Sequence, residues 1–241
     1  MLKHRSKPGF SLIEVLVMAG IISTAFISVM YLVERSIKIY YSNENYLVAT
    51  VIAQEGLEAA TYIRDNNWLN QATFQSGLAQ ITDATAKINA TAGGVKTIFA
   101  VDHGALIGAS SHQGIKQFCY IDKDGTVFNS QNQLPDIGAG TSVSGECDLK
   151  AHVKNDWAAV FIDSADHNFY KVRAAIDNFD AGRYRPTIFS HLLQTVYYDN
   201  GTPDDKKDDH IYVISMVRWL DRGAEKYFTL TTYLDNYNWK Y

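Results

Sequence analysis

The chain has 241 residues and a formal net charge of −4, from 22 lysine and arginine residues against 26 aspartate and glutamate residues. This length suffices for one sizeable globular domain in addition to a membrane segment. The acidic balance, with basic residues scattered along the chain, argues against a general nucleic-acid-binding protein.

The N-terminus combines a short basic leader with a long apolar stretch. Lys3, Arg5 and Lys7 precede the stretch from Phe10 to Val33, in which Glu14 is the only charged residue. At about 1.5 Å per helical residue, this stretch is long enough to cross a bilayer core of roughly 30 Å. The basic leader predicts that the N-terminus stays in the cytoplasm and that the rest of the chain faces outward.

Glu14 is expected to have a partner, because a carboxylate inside a membrane segment is unfavourable in free energy and by default indicates a functional role. Cleavage after Gly9 would create a new amine on Phe10, about one helical turn away from Glu14. Pairing of this amine with the carboxylate within one chain is geometrically poor. Pairing between neighbouring chains in a bundle satisfies both groups.

Residues 7–16, Lys-Pro-Gly-Phe-Ser-Leu-Ile-Glu-Val-Leu, closely resemble the class III signal of type IV prepilins and type II secretion pseudopilins. The resemblance implies that a prepilin peptidase cuts after Gly9 and N-methylates Phe10, and that Glu14 guides assembly. We therefore expect residues 1–9 to be a removable leader and residues 10–33 to remain as a membrane helix. The alternative is an ordinary signal anchor, which explains neither Glu14 nor an apolar run placed after the cleavage position.

Residues 34–66 are predicted to continue the helix in water as an amphipathic segment. One of its faces carries small and apolar residues, so a flat β-sheet can approach it closely. The run Asp65-Asn66-Asn67 predicts its end. The residues on this face are Ala49, Ile52, Ala53, Gly56, Ala60 and Ile63.

Residues 67–241 are predicted to form an extracytoplasmic, β-rich globular domain. Glycine-rich stretches at 93–94, 104–114 and 134–145 are typical of loops. The last part of the chain predicts an antiparallel meander in which apolar and more polar positions alternate. The predicted strands are 116–121 and 126–128 as a hairpin, then 158–162, 168–176, 187–198, 211–220 and 227–234, with a turn at 221–225. The fold class is thus α+β, with a long N-terminal helix packed against a C-terminal antiparallel sheet, in a pilin-like arrangement.

Two cysteines, Cys119 and Cys147, both fall in the outward-facing part of the chain. An oxidising compartment allows them to pair, so we predict a disulfide between them. Two buried free thiols are the alternative.

Motifs for catalysis or metal binding are weak. An acidic run at 204–209 could hold calcium, but a solvated turn between strands is the preferred interpretation. We expect no cofactor, no metal and no catalytic residue. The histidines are spread without the spacing of zinc ligands, and each is predicted to be a surface or loop histidine: His103, His112, His152, His167, His191 and His210.

The resemblance implies a non-enzymatic structural subunit of a type IV pilus or of a type II secretion-like pseudopilus, which polymerises through its N-terminal helix. The expected location is the inner membrane, as a single-pass protein, and then an extracytoplasmic filament or the cell surface. The expected partners are a prepilin peptidase, other pilins or pseudopilins, an inner-membrane assembly platform and the membrane, with no nucleic acid. The absence of proline between Phe10 and Leu134 favours a minor subunit, since many major pilins carry a helix-breaking proline in the membrane half.

Two other interpretations remain at this point. One is a membrane-anchored extracytoplasmic binding or adhesion protein at a filament tip, in which the glycine-rich region 93–145 contacts a ligand. The other is a signal-anchored extracytoplasmic enzyme, which needs clustered acid and base groups that the sequence does not display.

Overall fold

The chain forms one long helix and one antiparallel sheet, and it divides into two compact units, residues 1–46 and residues 47–241. The predicted α+β fold class is therefore confirmed. The computed structural model describes residues 11–70, 78, 95–101, 115–121, 127–129, 149–154, 156–165, 170–172, 179–198 and 209–236.

The first element, α1, is a helix of 58 residues from Leu12 to Leu69. No proline interrupts it, and Gly20 and Gly56 are its only glycines. It ends slightly later than predicted because Asn70 closes its last turn. The backbone N–H of Asn70 donates to the Asn66 carbonyl at 3.0 Å, and its side-chain Nδ2 donates to the same oxygen at 2.9 Å.

In the described part of the chain the strands belong to one antiparallel sheet, and two short helical pieces lie between the third strand and the fourth. These pieces are α2 (Leu149–His152) and a 3-10 turn (Asp156–Ala158). The strands are β1 (Val95–Val101), β2 (Ile115–Ile121), β3 (Val127–Asn129), β4 (Ala159–Asp163), β5 (Tyr170–Val172), β6 (Tyr184–Tyr198), β7 (His210–Asp221) and β8 (Ala224–Asp235).

The long strand β6 is the centre of the sheet. Along one side it pairs with β7, and β8 follows β7. Along the other side, its first half pairs with β4 and its second half with β1. Strand β5 then extends from β4, and strands β2 and β3 extend from β1. With neighbours on both sides, β6 is buried along most of its length.

The hairpin between β7 and β8 turns on two residues, Arg222 and Gly223. Both have positive φ values, 53° and 80°. Two-residue loops with positive φ at both positions match the twist of antiparallel strands, which is why the strands continue in register from the turn. The predicted hairpin is confirmed, but its turn is shorter than the predicted 221–225, because Ala224 and Glu225 already pair with β7 as part of β8.

The core lies between the second half of α1 and one face of the sheet. All six residues of the predicted packing face of α1 are buried, together with Ala59 and Asn67. The facing positions of β7 are buried at every second residue, from Ile211 to Trp219, as the predicted alternation requires. Leu149 of α2 and Val153, which follows it, belong to a core cluster that also includes Leu192 of β6.

The middle of the chain was predicted least well. The hairpin of β2 and β3 and the strands β4 and β6 are confirmed. Strand β1, helix α2 and the 3-10 turn were not predicted. Of the predicted strand 168–176, the structure describes Tyr170–Val172, which is β5. The predicted loops at 93–94, 104–114 and 134–145 lie outside the described residues.

Candidate functional site

The N-terminal part of α1 exposes its apolar side chains on all sides. Between Leu12 and Val33, the exposed fraction of the large apolar side chains runs from 79% at Leu12 down to 45% at Val33. Soluble monomers rarely present a continuous apolar surface of this size to water. Within the part of the chain that the structure describes, α1 is the helix that is long and apolar enough to cross a membrane.

The serine and threonine hydroxyl groups of this segment donate hydrogen bonds within the helix itself. The hydroxyls of Ser23 and Ser28 donate to the carbonyls of Ala19 and Thr24, four residues earlier, at 2.7 and 2.9 Å. The Thr24 hydroxyl similarly donates to the Ile21 carbonyl at 2.9 Å. Internal hydrogen bonds of this kind let a helix enter hydrocarbon without unsatisfied polar groups.

Glu14 lies in the first turn of α1 and is exposed. The Ser11 carbonyl accepts the backbone N–H groups of Glu14 and Val15 at 3.0 and 3.2 Å, so the helix begins directly after Ser11. A carboxylate in the first turn interacts favourably with the helix dipole, which gives Glu14 a local role. Among the described residues, its carboxylate has no ion pair or hydrogen bond to another side chain, so this local role leaves its charge uncompensated.

Apolar exposure continues beyond the point where the membrane segment should end. Glu34 and Lys38 form an ion pair one helical turn apart, which marks a water-facing part of the helix. The helix surface that follows in the first unit is mixed, and exposed apolar and aromatic side chains alternate with polar ones such as Lys38 and Asn43. The exposed apolar and aromatic residues there are Ile37, Ile39, Tyr40, Tyr41 and Tyr46, with exposed fractions from 50% to 67%.

In the second unit, α1 contacts the sheet most closely at Gly56. A Cβ atom added there would lie 2.7 Å from His191 Cε1 and 3.0 Å from Leu193 Cδ2. Such distances are below van der Waals contact, so the helix can reach this depth only with glycine at position 56. The predicted close approach of the small-residue face is therefore confirmed at this residue.

His191 is a core residue, and the prediction of a surface or loop histidine is wrong for this position. It lies on β6 with an exposed fraction of 7%, and its Nε2 is 2.9 Å from the Ser215 hydroxyl on β7. Burial lowers the pKa of His191 to about 4, which keeps the ring neutral. No local sequence pattern indicated this burial, because apolar and polar residues do not alternate regularly along residues 187–198.

A small cleft beside this contact is lined by Glu55, Tyr170 and His191 together with apolar side chains of α1, β4 and β5. Burial and the neighbouring Glu58 raise the pKa of Glu55 to about 7. The carboxyl group and the neutral imidazole give the cleft weak acid–base character. Its small size and its apolar walls suit packing of the helix better than binding of a substrate.

An ion cluster around one buried carboxylate joins β4 to β5 and to the residue that precedes β6. The Asp163 carboxylate is fully buried and accepts two hydrogen bonds from Arg183, at 2.7 and 2.6 Å. Lys171 Nζ is 3.1 Å from the same carboxylate. The Arg183 guanidinium holds the pKa of Asp163 well below its usual range, so the cluster stays charged and has a structural role.

Four aromatic rings cluster on the outer face of the sheet at the ends of β6, β7 and β8. His210 lies 5.1 Å from Tyr198 and 5.0 Å from Tyr233 between ring centroids. Tyr212 and Tyr233 are 5.1 Å apart and remain 44% and 45% exposed. The rings pack chiefly on one another, as cross-strand aromatic pairs that stabilise a sheet do.

The remaining predicted site residues are only partly described. Gly9, Phe10 and Cys147 lie outside the described residues. Cys119 lies on β2, where its backbone is opposite Ile98 of β1 and Asn129 of β3. The cleavage site and the disulfide thus stay predictions.

The predicted acidic run is described only at its end. Residues 204–208 lie outside the described part of the chain. Asp209 is buried and accepts a hydrogen bond from the Tyr197 hydroxyl at 2.6 Å. Within the described residues, no three histidine, cysteine, aspartate or glutamate side chains group in a way that could hold a metal ion.

Comparison with known proteins yields no relative: no family model, no curated protein and no solved structure matches the chain. The likeness of residues 7–16 to prepilin signals therefore stays a prediction. The observations that bear on function are those on α1 and on the sheet.

Proposed function

We propose that this chain is a structural subunit, and a minor one, of a type IV pilus or a type II secretion-like pseudopilus. In this proposal a prepilin peptidase cuts the chain after Gly9 and methylates the amine of Phe10. Before assembly, the subunit is held in the inner membrane as a single-pass protein. An assembly platform then adds it to a filament, in which α1 packs against the helices of other pilins or pseudopilins.

The observation that carries the proposal is the apolar surface of α1 beyond the membrane segment. A bilayer core of roughly 30 Å covers about 20 helical residues, which accounts for the stretch from Leu12 to Val33. It does not cover the exposed apolar and aromatic side chains that follow the Glu34–Lys38 pair, from Ile37 to Tyr46. A helix that only anchors a protein in the membrane does not require exposed apolar side chains outside the bilayer. A bundle of neighbouring helices buries the apolar side chains of both stretches.

Glu14 supports the same conclusion. Its carboxylate has no side-chain partner among the described residues of its own chain, although it sits in the apolar stretch. A lone charge in hydrocarbon is unfavourable by several kcal/mol. After cleavage, the amine of Phe10 in a neighbouring subunit is a cation at the matching height. Methylation keeps the charge of this amine, so the pair acts as a check of register: a subunit docked at the wrong height leaves two unpaired charges.

Incorporation of a Glu14→Ala variant into filaments tests the proposal. We expect normal cleavage, membrane insertion and folding of the outer domain, because the Gly9–Phe10 junction and the sheet are untouched. We expect the ratio of variant in sheared filaments to variant in membranes to fall at least about tenfold, since about 1.4 kcal/mol already corresponds to a factor of ten.

Glu58→Ala is the matched control, because Glu58 is an exposed acidic residue of the same helix that lies outside both apolar stretches. It should incorporate like the wild type. Equal incorporation of Glu14→Ala and the wild type would remove Glu14 from assembly. Equal losses for both variants would show that incorporation depends on the total negative charge of α1 and not on the position of Glu14.

A further inference from the structure

Strand β8 is an edge of the sheet in the part of the chain that the structure describes, where it pairs only with β7. An edge strand carries a row of backbone N–H and C=O groups that can pair with another extended chain. Its capacity to do so depends on which groups point outward and on what blocks them.

The hairpin geometry identifies the outward backbone groups of β8. Asp221 and Ala224 flank the two-residue turn and form the first hydrogen-bonded pair, so every second residue of β8 after Ala224 bonds to β7. The bond from the Asn236 N–H to the Asp209 carbonyl, at 3.2 Å, continues this alternation past the end of the strand. The intervening residues, Thr229 and Thr231 among them, direct their N–H and C=O groups away from β7.

Features that usually protect an edge strand are missing from the centre of β8. No charge, proline or glycine occurs between Lys226 and Asp235. The pairing with β7 runs through twelve residues without a bulge. In natural proteins, such charges, prolines or bulges prevent an edge strand from pairing with another chain. An edge strand of this length without them therefore indicates a pairing partner.

The side chains of β8 indicate the chemistry of that partner. Phe228 and Leu230 are half-buried on the face that packs against the core, whereas Thr229 and Thr231 are exposed on the other face. A strand added beside them would place its apolar residues next to Phe228 and Leu230 and its hydroxyl residues next to the threonines. Asp235 at the end of β8 favours a basic residue at the end of the added strand.

Pairing of β8 with a second copy of the chain in the register centred on Leu230 is disfavoured. Two β8 strands paired antiparallel about Leu230 would set Glu225 of one copy directly opposite Asp235 of the other, at both ends. Like charges in directly opposite positions destabilise a strand pair.

We propose that β8 binds an extended segment of another protein as an added strand. The segment alternates apolar residues with threonine or serine and carries a basic residue at its ends. Main-chain hydrogen bonds to the residues around Thr229 and Thr231 supply the affinity, and the alternating side chains supply the specificity. The inference does not depend on polymerisation of α1, because it uses only the sheet.

The test uses the full-length protein in detergent micelles and a blocked, fluorescent peptide of sequence Lys-Thr-Val-Thr-Val-Thr-Val-Thr-Lys. We expect saturable binding by fluorescence anisotropy. The double variant Thr229→Pro with Thr231→Pro removes two outward N–H groups at positions where an edge strand tolerates proline. It should bind at least about tenfold more weakly. The matched double variant Thr229→Ala with Thr231→Ala keeps both N–H groups and should bind within about threefold of the wild type.

A second measurement avoids any dependence on folding of the proline variant. The wild-type protein is titrated with two versions of the peptide, each N-methylated at one of the two alternating sets of amides. Only one version should lose binding, because only one set of amides faces β8. Absence of saturable binding, or equal binding of both versions, would overturn the proposal.

Two further results would also overturn it. A wild-type dimer in micelles that the proline variant converts to a monomer would assign the edge to a second copy of the chain. Slow amide exchange at Thr229 and Thr231 without peptide would assign it to a segment of the same chain.

Discussion

Replacement of Gly56 by alanine is the sharpest test of how α1 sits on the sheet. In an ordinary exposed helix this substitution stabilises, by about 1 kcal/mol, because alanine is the better helix former. At Gly56 the added methyl group would lie 2.7 and 2.8 Å from the His191 ring and 3.0 Å from Leu193. The packing and the helix propensity therefore act in opposite directions.

The relative sizes of the packing cost and the gain in helix propensity decide whether Gly56→Ala lowers or raises the free energy of unfolding. Overpacking of a well-filled core costs about 1–3 kcal/mol, and the contacted ring is fixed by burial and by its hydrogen bond to Ser215. After the gain in helix propensity, the free energy of unfolding should fall by about 1 kcal/mol.

Urea unfolding of the full-length protein in micelles, followed by tryptophan fluorescence, measures this change. Gly20→Ala is the control, because nothing lies within 4 Å of a Cβ atom at that position. It should leave the unfolding midpoint of the domain unchanged. The loss caused by Gly56→Ala should shrink in a His191→Ala background. An unfolding midpoint raised by Gly56→Ala would refute the close contact.

Three further predictions concern charge and redox state. Since Glu55 has a pKa of about 7 in the folded protein and 4.5 unfolded, the folded state holds its proton more tightly and stability falls as pH rises between these values. Glu55→Gln should make the free energy of unfolding depend less on pH. At pH 8 it should raise the free energy of unfolding by about 1 kcal/mol, a value already reduced for solvent screening. An unchanged pH dependence would contradict this prediction. Asp163→Asn should lower the free energy of unfolding by about 2 kcal/mol, because it removes the buried carboxylate that accepts two hydrogen bonds from Arg183 and forms an ion pair with Lys171. The exposed Asp156→Asn should stay within about 0.5 kcal/mol of the wild type, and equal effects of the two substitutions would refute the structural role of the cluster. For the Cys119–Cys147 bridge, thiol labelling of the unreduced, denatured protein should find no free thiol, and two labelled thiols would refute it.

Sequence periodicity was sufficient to predict the elements that bury one face. The 3.6-residue repeat of α1 predicted its packing face, and the two-residue repeat of β7 predicted which residues face the core. The turn at Arg222 and Gly223 was predicted because it separates two long alternating strands. In each case one buried face controls the pattern of many residues, so the signal is strong.

The features that sequence reasoning missed depend on tertiary neighbours. His191 is polar, and only the approach of Gly56 and Ser215 explains why it is buried and neutral. The raised pKa of Glu55 likewise arises from burial under the sheet, which no local pattern encodes. Strand β1 was missed because its identity comes from pairing with β2 and the second half of β6, far away in sequence.

The most direct test of the central claim is the mass of the N-terminal peptide of the protein taken from membranes and from sheared filaments. We expect a peptide that begins at Phe10 and carries one additional methyl group on its amine, with Glu14 intact. A peptide that retains residues 1–9 in both fractions would rule out the proposed assembly, because the charged partner proposed for Glu14 would then never form.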